Sequence, residues 1–243
     1  MSRQLAIDRG NSFTKLSVSD NGLLDKTISL TDAQLEKELP KFLAATNPTA
    51  IIISDVRDTF PFEKFLPDSV CETLRLTPTL KLSFSIDYET PETLGADRLA
   101  NISGAMAQMP GKNLLVIDCG TCITYSLLFQ NAFIGGSIAP GRRMRFQALH
   151  KFTGMLPEVE VSDSLTRLAG QSTAESIQSG VQRAILLETD AMIHAYHEQY
   201  EELQVILTGG DYSFFENNLK SRIFALPELT RIGLHEILRN NRS

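Results

Sequence analysis

The sequence predicts an α/β protein made of two related domains, each a mixed β-sheet flanked by helices. Three observations predict this class. A strand, an acidic turn and a second strand occur twice, in residues 5–18 (LAIDRGNSFTKLSV) and residues 115–128 (LVIDCGTCITYSLL). Further strand and helix patterns follow each copy, as in a mixed sheet with helices on its faces. The chain of 243 residues is long enough for two domains of about 110–130 residues, each with its own core.

The two copies align at a constant offset of 110 residues, and five positions match: Leu5 with Leu115, Ile7 with Ile117, Asp8 with Asp118, Gly10 with Gly120 and Thr14 with Thr124. Chance is the alternative explanation, because acidic hairpins with a glycine are common. A true duplication predicts two domains that meet near Pro110-Gly111, a strong helix stop. We therefore expect one domain in residues 1–110 and a second in residues 111–243.

The first domain should contain three strands, a helix and further strands. Thr31, with Gln34 three residues on, is typical of a helix N-cap. The continuous apolar run Ala50–Ser54 predicts a buried, parallel strand. The other elements that we expect are a strand over Leu23–Ser29, a helix that starts at Thr31 and ends before Asn47-Pro48, a short helix over Pro61–Leu66, a strand over Cys71–Leu76, an irregular stretch over Leu80–Leu94, and a helix from Gly95 to Pro110.

The second domain should repeat the acidic hairpin and then alternate strands with helices. A turn rich in glycine and proline (Gly135–Gly141) should end the first strands. The remaining elements that we expect are a strand over Ala132–Ile138, a helix from about Arg142 to Phe152, an extended Met155–Val161, a long helix from Ser172 to about Tyr200, a strand over Gln204–Leu207, a helix over Tyr212–Leu219, a strand over Leu226–Glu228, and a helix over Gly233–Arg239.

The composition excludes several classes of protein. The formal net charge is −6 and the chain has no basic run, so we expect no nucleic-acid partner. It has no apolar run of transmembrane length, and its start lacks the pattern of a signal peptide, so we expect a cytoplasmic protein without a membrane partner. The cysteines Cys71, Cys119 and Cys122 do not form the framework of a secreted protein. We interpret Cys119-x-x-Cys122 as structural rather than as a redox or zinc pair, because no second pair of ligands has metal spacing.

The acidic hairpins suit a phosphate chain and its cations. Glycine allows the backbone to approach closely, amides and hydroxyls donate to phosphate oxygens, and a carboxylate can hold a metal ion or its waters. Asp97 opens a predicted helix, where it is either an ordinary first-turn acid or a base for an attacking alcohol. Lys15 could reach phosphate oxygens or lie on the surface. Gly209-Gly210 could contact a base or ribose, or form a plain turn.

Together these motifs resemble one family. The pieces, in chain order, are DRGNSFTK (Asp8–Lys15), YETPETLGADR (Tyr88–Arg98), DCGTCIT (Asp118–Thr124), GGSIAPG (Gly135–Gly141), FTGMLP (Phe152–Pro157), STAESIQSG (Ser172–Gly180) and LTGGD (Leu207–Asp211). The duplicated hairpin and the Gly-Gly turn resemble the superfamily of sugar and acetate kinases, chaperone ATPases and actin. Within it, the ordered set resembles type III pantothenate kinases.

This resemblance implies two ribonuclease H-like domains with the ATP site in the cleft between them. It implies ATP-dependent phosphorylation of pantothenate to 4′-phosphopantothenate, the first step of coenzyme A biosynthesis, by a homodimer that uses Mg²⁺ and a monovalent cation (K⁺ or NH₄⁺).

The resemblance also implies roles for particular residues. The expected catalytic base is Asp97, the monovalent-cation ligand is Asp118, and Asp8 lies near magnesium. The implied ATP-binding residues are Asp8, Arg9, Gly10, Asn11, Ser12, Phe13, Thr14, Lys15 and Thr121, and the implied pantothenate-binding residues are Tyr88, Gly95, Ala96, Asp97, Arg98 and, from the partner subunit, Thr173. Ser12 and Cys122 stand where the family usually has threonine and alanine, and neither change removes the chemistry.

Other functions remain open to the sequence. Another kinase of the same superfamily would act on a sugar or a short carboxylic acid, and the segment Tyr88–Arg98 argues against it. A nucleotide-dependent binding module would need no base such as Asp97. A transcriptional accessory protein would show a basic surface.

Overall fold

The structure is a computed structural model that describes residues 3–20, 22–57, 59–66 and 72–242. The chain forms two compact units. Unit 1 contains residues 1–111 and 228–243, and unit 2 contains residues 112–227. None of the helices in the described ranges combines the length and apolar character that crossing a bilayer requires.

The strands are β1 (Arg3–Arg9), β2 (Thr14–Asp20), β3 (Leu23–Leu30), β4 (Ala50–Asp55), β5 (Glu72–Arg75), β6 (Ser85–Ile86), β7 (Asn113–Cys119), β8 (Cys122–Phe129), β9 (Ala132–Pro140), β10 (Leu203–Thr208) and β11 (Phe224–Ala225). The helices are α1 (Asp32–Thr46), α2 (Ala96–Gln108), α3 (Arg142–Lys151), α4 (Thr173–Gln199), α5 (Tyr212–Glu216) and α6 (Leu229–Asn240), with short 3₁₀ turns at Phe62–Lys64 and Pro91–Thr93.

The sheet of unit 1 has the strand order β3-β2-β1-β4-β5. The first three strands form an antiparallel meander, and β4 runs parallel to β1. Asp8, near the end of β1, is therefore paired with Lys15 of β2 on one side and Ser54 of β4 on the other. The predicted hairpin and the predicted parallel strand are confirmed.

Helix α1 covers this sheet with one apolar face. Its N-terminus has the predicted capping box, in which the Thr31 backbone N–H donates to Oε1 of Gln34 at 2.9 Å. Asn47 ends the helix in the left-handed conformation. The buried face consists of Leu35, Leu39, Phe42 and Leu43, which pack on Leu5, Ile7, Leu16, Val18, Ile51 and Ile53 of the sheet. Burying this stripe is what fixes a helix of marginal intrinsic stability onto its sheet.

The strands of unit 2 follow the order β11-β10-β7-β8-β9. Strands β7, β8 and β9 are antiparallel neighbours, and β10 runs parallel to β7. Asp118 is thus paired with Thr124 on one side and Thr208 on the other. Both units therefore arrange a meander and two parallel strands in the same order, so the predicted pair of mixed sheets flanked by helices is confirmed.

Four predicted elements differ from the structure. The predicted turn over Gly135–Gly141 is strand as far as Pro140, because β9 spans Ala132–Pro140 and its residues stay paired with β8. Residues Leu226–Glu228 are not a strand: β11 is Phe224–Ala225, and Glu228 directly precedes α6. Helix α5 ends at Glu216 rather than at Leu219. Helix α6 begins at Leu229, four residues before the predicted start, because Leu229 is fully buried and helical. Cys71, the first residue of one predicted strand, lies outside the described residues.

The last helix also changes how the chain is divided. The prediction assigned all of residues 111–243 to the second domain, whereas residues 228–243 group with unit 1. Helix α6 packs closely on α2, and Gly104 and Gly233 lie where the two backbones meet. The chain first passes from unit 1 to unit 2 between Gly111 and Lys112, one residue after the predicted boundary.

Candidate active site

The turn of the first hairpin exposes the groups that an anion would need. The Gly10 N–H donates to the carbonyl of Phe13 at 3.0 Å, and this bond closes the turn. Asn11 and Ser12 between them are exposed, as is Lys15 at the start of β2, while Asp8 is half-buried. Polar side chains, a lysine and a carboxylate thus surround one tight turn. Such a turn can bind a phosphate together with its cation.

Two residues of this predicted ATP-binding segment point inward instead. Arg9 is 4% exposed, and its Nη1 donates to Oδ1 of Asp55 at 3.2 Å and to Oγ1 of Thr59 at 2.9 Å. Thr14 is fully buried, and within the described chain its hydroxyl has no hydrogen-bond partner. The side chains of Arg9 and Thr14 therefore support the hairpin from beneath.

Asp97 is the second residue of α2, in its first turn, two positions after the helix N-cap Gly95. Its Oδ1 accepts a hydrogen bond from the backbone N–H of Arg98 at 2.8 Å. A Cβ built at Gly95 would lie 2.5 Å from the same oxygen, so glycine makes room for the carboxylate. Burial raises the pKa of Asp97 above its ordinary value, and the N–H of Arg98 opposes this effect. A carboxyl of this kind accepts a proton more readily than an exposed one.

The other predicted pantothenate residues of unit 1 lie in the same part of the sequence. Tyr88 and Ala96 are half-buried, and Arg98 is buried at 5% exposure. The predicted helix start is confirmed, so Ala96, Asp97 and Arg98 share the first turn of one helix.

Asp118 lies at the corresponding position of the second hairpin. Gly209, which follows β10, has a φ of +97°, and a Cβ built there would overlap Oδ1 of Asp118 and the carbonyl of Cys119. A Cβ at Gly120 would also touch this oxygen, at 3.6 Å. Only glycine fits at position 209, because both the conformation and the close approach exclude a side chain. The Gly-Gly turn therefore creates the space that the Asp118 carboxylate occupies.

The turn of the second hairpin is held by two neighbouring segments. The Gly141 N–H donates to the carbonyl of Thr121 at 3.0 Å, and the Asp211 N–H donates to the carbonyl of Cys119 at 2.8 Å. Thr121 itself is exposed, so its hydroxyl can meet a ligand. Arg142, which follows Gly141, pairs with the carboxylate of Asp211.

Sequence reasoning assigned no role to Arg142, Asp211 or Asp55, although each belongs to an ion pair with a buried arginine. One available signal was an arginine at the first position of a helix, where a cation is unfavourable. The other was an aspartate directly after an apolar strand.

The two cysteines of this hairpin lie on opposite faces. Cys119 pairs with Ile123, and successive residues of a strand point to opposite faces, so Cys122 faces away from Cys119. Burial raises the pKa of the Cys119 thiol well above its ordinary value, and the carboxylates of Asp118 and Asp211 raise it further. A protonated, buried thiol packs as a small apolar side chain. This geometry supports the structural interpretation of Cys119-x-x-Cys122.

Either hairpin fits a cation that shares its ligands with a phosphate. In the described ranges no three His, Cys, Asp or Glu side chains converge as a metal cage. Mg²⁺ in nucleotide sites takes one or two carboxylates plus phosphate oxygens and waters, so the single carboxylate of Asp8 suffices. The Asp118 carboxylate lies beside the backbone of Gly209 and Cys119, and such oxygen donors suit a hard cation.

Thr173 is the first residue of α4 and is exposed. It lines a groove of about 770 Å³ between α3 and α4. The groove is largely apolar, and Leu149, Phe152, Leu156, Ile177 and Val181 are among its lining residues.

Comparison with known proteins gives a consistent result. The sequence model of the type III pantothenate kinase family matches residues 4–195. The type III pantothenate kinase of Cytophaga hutchinsonii is 41% identical over 238 residues, which cover 98% of this chain and 99% of that protein. The type III pantothenate kinase of Christiangramia forsetii is 39% identical over 243 residues, with 98% and 99% coverage.

Solved structures with much lower identity share the fold. A Baf family protein from Campylobacter jejuni is 21% identical, with a TM-score of 0.63 and 98% coverage of both chains. A glucokinase from an Antarctic psychrotroph is 11% identical, with a TM-score of 0.54 and 99% coverage of both chains.

Proposed function

The chain belongs to the type III pantothenate kinase family, and we propose how its residues carry out the reaction of that family. It is a kinase that phosphorylates pantothenate to 4′-phosphopantothenate, the first step of coenzyme A biosynthesis. The observation that supports the residue assignment best is the placement of Asp97, a half-buried carboxylate with a raised pKa at the start of α2.

Asp97 is the base of this reaction. The primary hydroxyl of pantothenate attacks the γ-phosphorus of ATP, and its proton passes to the carboxylate of Asp97. The bond from the γ-phosphorus to the bridging oxygen breaks, and ADP leaves. A loose transition state releases this proton late, so positioning of the acceptor matters more than its strength. The Arg98 N–H bond to Oδ1 and the open space at Gly95 fix that position.

The first hairpin binds the ATP phosphates. The exposed turn residues Asn11–Phe13 supply amides and polar side chains, and Lys15 supplies a positive charge. Thr121 of the second hairpin contacts ATP through its exposed hydroxyl. Arg9 and Thr14 contribute by supporting the hairpin, because their side chains are buried.

Asp8 holds Mg²⁺ directly or through its waters, and Asp118 holds a monovalent cation, K⁺ or NH₄⁺. When they are bound, these ions offset the repulsion between two anionic substrates. The oxygen ligands available in each hairpin support this assignment. Each carboxylate lies at a strand end beside a tight turn, and the backbone of Gly209 approaches Asp118 closely.

Pantothenate contacts Tyr88 and the first turn of α2 (Gly95–Arg98), and Thr173 reaches it from the partner of a homodimer. Exposed apolar side chains on unit 2 support such a dimer, since Phe152, Met155 and Leu168 are 79%, 95% and 77% exposed. Surfaces of this kind mark protein–protein contacts. Light scattering should therefore give twice the mass of one chain, and a monomer at micromolar concentration would reject the dimer.

We place the enzyme in the cytoplasm, where ATP is available, with no nucleic acid among its partners. The net charge of −6 argues against a polyanionic partner.

A coupled assay of ADP release tests the reaction and the cation together. With Mg²⁺ and ATP, release should require pantothenate and should fall when K⁺ is replaced by Na⁺. Asp97→Asn should lose most of the activity, on the order of 10²–10⁴-fold, because it lacks the proton acceptor. It should still bind ATP. Wild-type turnover in that variant would remove Asp97 from its role, and ADP release without pantothenate would favour a different acceptor.

A further inference from the structure

Arg142 holds together three segments of unit 2 around one buried guanidinium. Its Nη2 donates to Oδ1 of Asp163 at 2.8 Å and to Oδ1 of Asp211 at 3.2 Å, and its Nη1 donates to the carbonyl of Ser162 at 3.4 Å. The guanidinium carbon lies 4.1 Å from the centre of the Phe214 ring, a cation–π contact. The start of α3, the segment at residues 162–163 and the turn after β10 thus share one side chain.

The position of this arginine is locally unfavourable. Arg142 is the first residue of α3, where the helix dipole disfavours a cation, and the residue is only 5% exposed. Its Nε is buried without a hydrogen-bond partner among the described residues. Sequences that break a local rule in this way do so most often at functional sites. The free-energy cost of burying a charged arginine at this position therefore indicates a role that an apolar residue could not fill.

The contacts of Arg142 complete a closed ring around the second hairpin turn. The residue before it, Gly141, donates to the carbonyl of Thr121, and its partner Asp211 donates to the carbonyl of Cys119. The Arg142–Asp211 ion pair links these two flanking segments to each other. The turn that carries Thr121, and that follows Asp118, cannot shift without breaking one of these three links.

We propose that Arg142 is a positioning residue for nucleotide binding, acting through Asp211 on the β7–β8 turn. It holds Thr121 and Asp118 in the geometry that ATP and the monovalent cation require. This inference rests on the proposed function, which gives Thr121 and Asp118 those ligands. The fork of the guanidinium suits the role, because it joins two acceptors in a fixed geometry that lysine cannot reproduce.

The test compares Arg142→Met with Arg183→Met. Methionine keeps much of the apolar bulk and removes the charge and the donors. Arg183 is a matched control, because it is partly buried in the same unit and donates to the carbonyl of Thr166 at 2.5 Å, near the segment that Arg142 holds. This bond joins α4 to residue 166 and not to the hairpin turn. Calorimetry measures binding of magnesium and a non-hydrolysable ATP analogue in K⁺ buffer, and steady-state kinetics measure kcat and both KM values.

Arg142→Met should weaken binding of the analogue about tenfold, the size expected for losing a charge-assisted hydrogen bond. The KM for ATP should rise by a similar factor, and the KM for pantothenate should stay within about twofold. Asp211→Asn should show the same pattern, and the double variant should be no worse than either single one, because both act on one link. Arg142→Lys should recover part of the loss.

Unchanged analogue binding in folded Arg142→Met would overturn the proposal. So would an equal loss in Arg183→Met, or a parallel rise of both KM values with a smaller folded fraction by circular dichroism, since either result means a structural role alone. A wild-type chain that binds the analogue but releases no ADP with pantothenate would reject the proposed acceptor. The binding comparison would still decide the role of Arg142.

Discussion

At the scale of single residues, Asp97 shows how catalysis and stability oppose each other. Burial disfavours its ionised form, and this is the main cause of its raised pKa. A group whose pKa is raised on folding contributes its full stabilisation below its unfolded pKa, ordinarily 3.8 for this residue. That contribution is lost as the pH rises through the folded pKa. At neutral pH the charged base therefore costs stability.

We expect Asp97→Asn to melt at a higher temperature than the wild type at pH 7, although it loses activity. Asparagine can still accept the Arg98 N–H bond and carries no charge. The advantage should disappear below about pH 3.8, where the wild-type carboxyl is protonated in both states. Thermal melts of both proteins at several pH values measure this difference. A variant that is less stable at pH 7 would show that the hydrogen bond outweighs burial.

His235 is a second buried titratable residue, in a part of unit 1 that the proposed chemistry does not use. It is 8% exposed, its Nε2 lies 3.1 Å from Oγ of Ser17, and among the described residues its Nδ1 has no partner. Burial, aided by the charge of Arg231, lowers its pKa from 6.5 to about 4. The folded protein therefore favours the neutral imidazole.

Because the folded pKa is lowered, the stability that neutral His235 contributes is full above pH 6.5 and falls as the pH drops toward 4. The difference corresponds to about 3 kcal/mol at the acid end. His235→Gln should lack this part of the acid dependence in urea unfolding between pH 7 and 4. The exposed His194 offers the control, since His194→Gln should retain the full slope. Equal slopes in the wild type and His235→Gln would contradict the assignment.

Single residues also show which features of the candidate site could be predicted from the sequence and which could not. The positions of Asp8 and Asp118 in their hairpins were predictable, because an apolar strand, an acid, a turn glycine and a second strand form a local pattern. The position of Asp97 in the first turn of α2 was predictable from the apolar helical pattern that follows it. The inward direction of Arg9 was not, because it depends on Asp55 and Thr59, residues about 50 positions away in the chain.

At the scale of elements, the contact of α2 with α6 depends on glycines rather than on an apolar stripe alone. A Cβ built at Gly233 would overlap the carbonyl of Ala100, and one built at Gly104 would overlap the carbonyl of Leu229 and lie 3.0 Å from the Gly233 nitrogen. The helices meet backbone to backbone at this point. Local patterns favoured Gly233 as a helix start, since glycine in a helix interior is usually unfavourable, and so the first turn of α6 was missed.

Gly104→Ala should therefore destabilise the protein by about 1–3 kcal/mol, because the added methyl group forces the two backbones apart. Gly180→Ala is the matched control: Gly180 is exposed in α4 and nothing lies within 4 Å of a Cβ there. That change should stabilise by about 0.5–1 kcal/mol through helix propensity. Urea unfolding of both variants gives the comparison, and a neutral Gly104→Ala would mean that the helices can separate at no cost.

At the scale of the whole molecule, two units with the same strand order account for most of what the sequence predicted. The repeated hairpin fixes where each sheet begins, and the apolar run that follows fixes the parallel fourth strand, as in β1 with β4 and β7 with β10. No local sequence pattern indicated that the C-terminal helix α6 belongs to unit 1. Its place depends on the fit between the surfaces of α6 and α2, which arises only in the folded chain.

Because α6 belongs to unit 1, we predict that unit 1 needs residues 228–243 in order to fold. Helix α6 buries Leu229, Leu234, Ile237 and Leu238, each at most 1% exposed. A chain that ends at Pro227 would leave their partners on α2, β1 and β4 in water. Limited proteolysis with mass spectrometry should then find cleavage throughout residues 3–111 and protection of residues 112–227.

As the control, residues 1–111 joined by a flexible linker to residues 228–243 should fold alone, whereas residues 1–111 by themselves should not. A protease-resistant unit 1 in the shortened chain would mean that α6 covers a sheet and helix already stable without it.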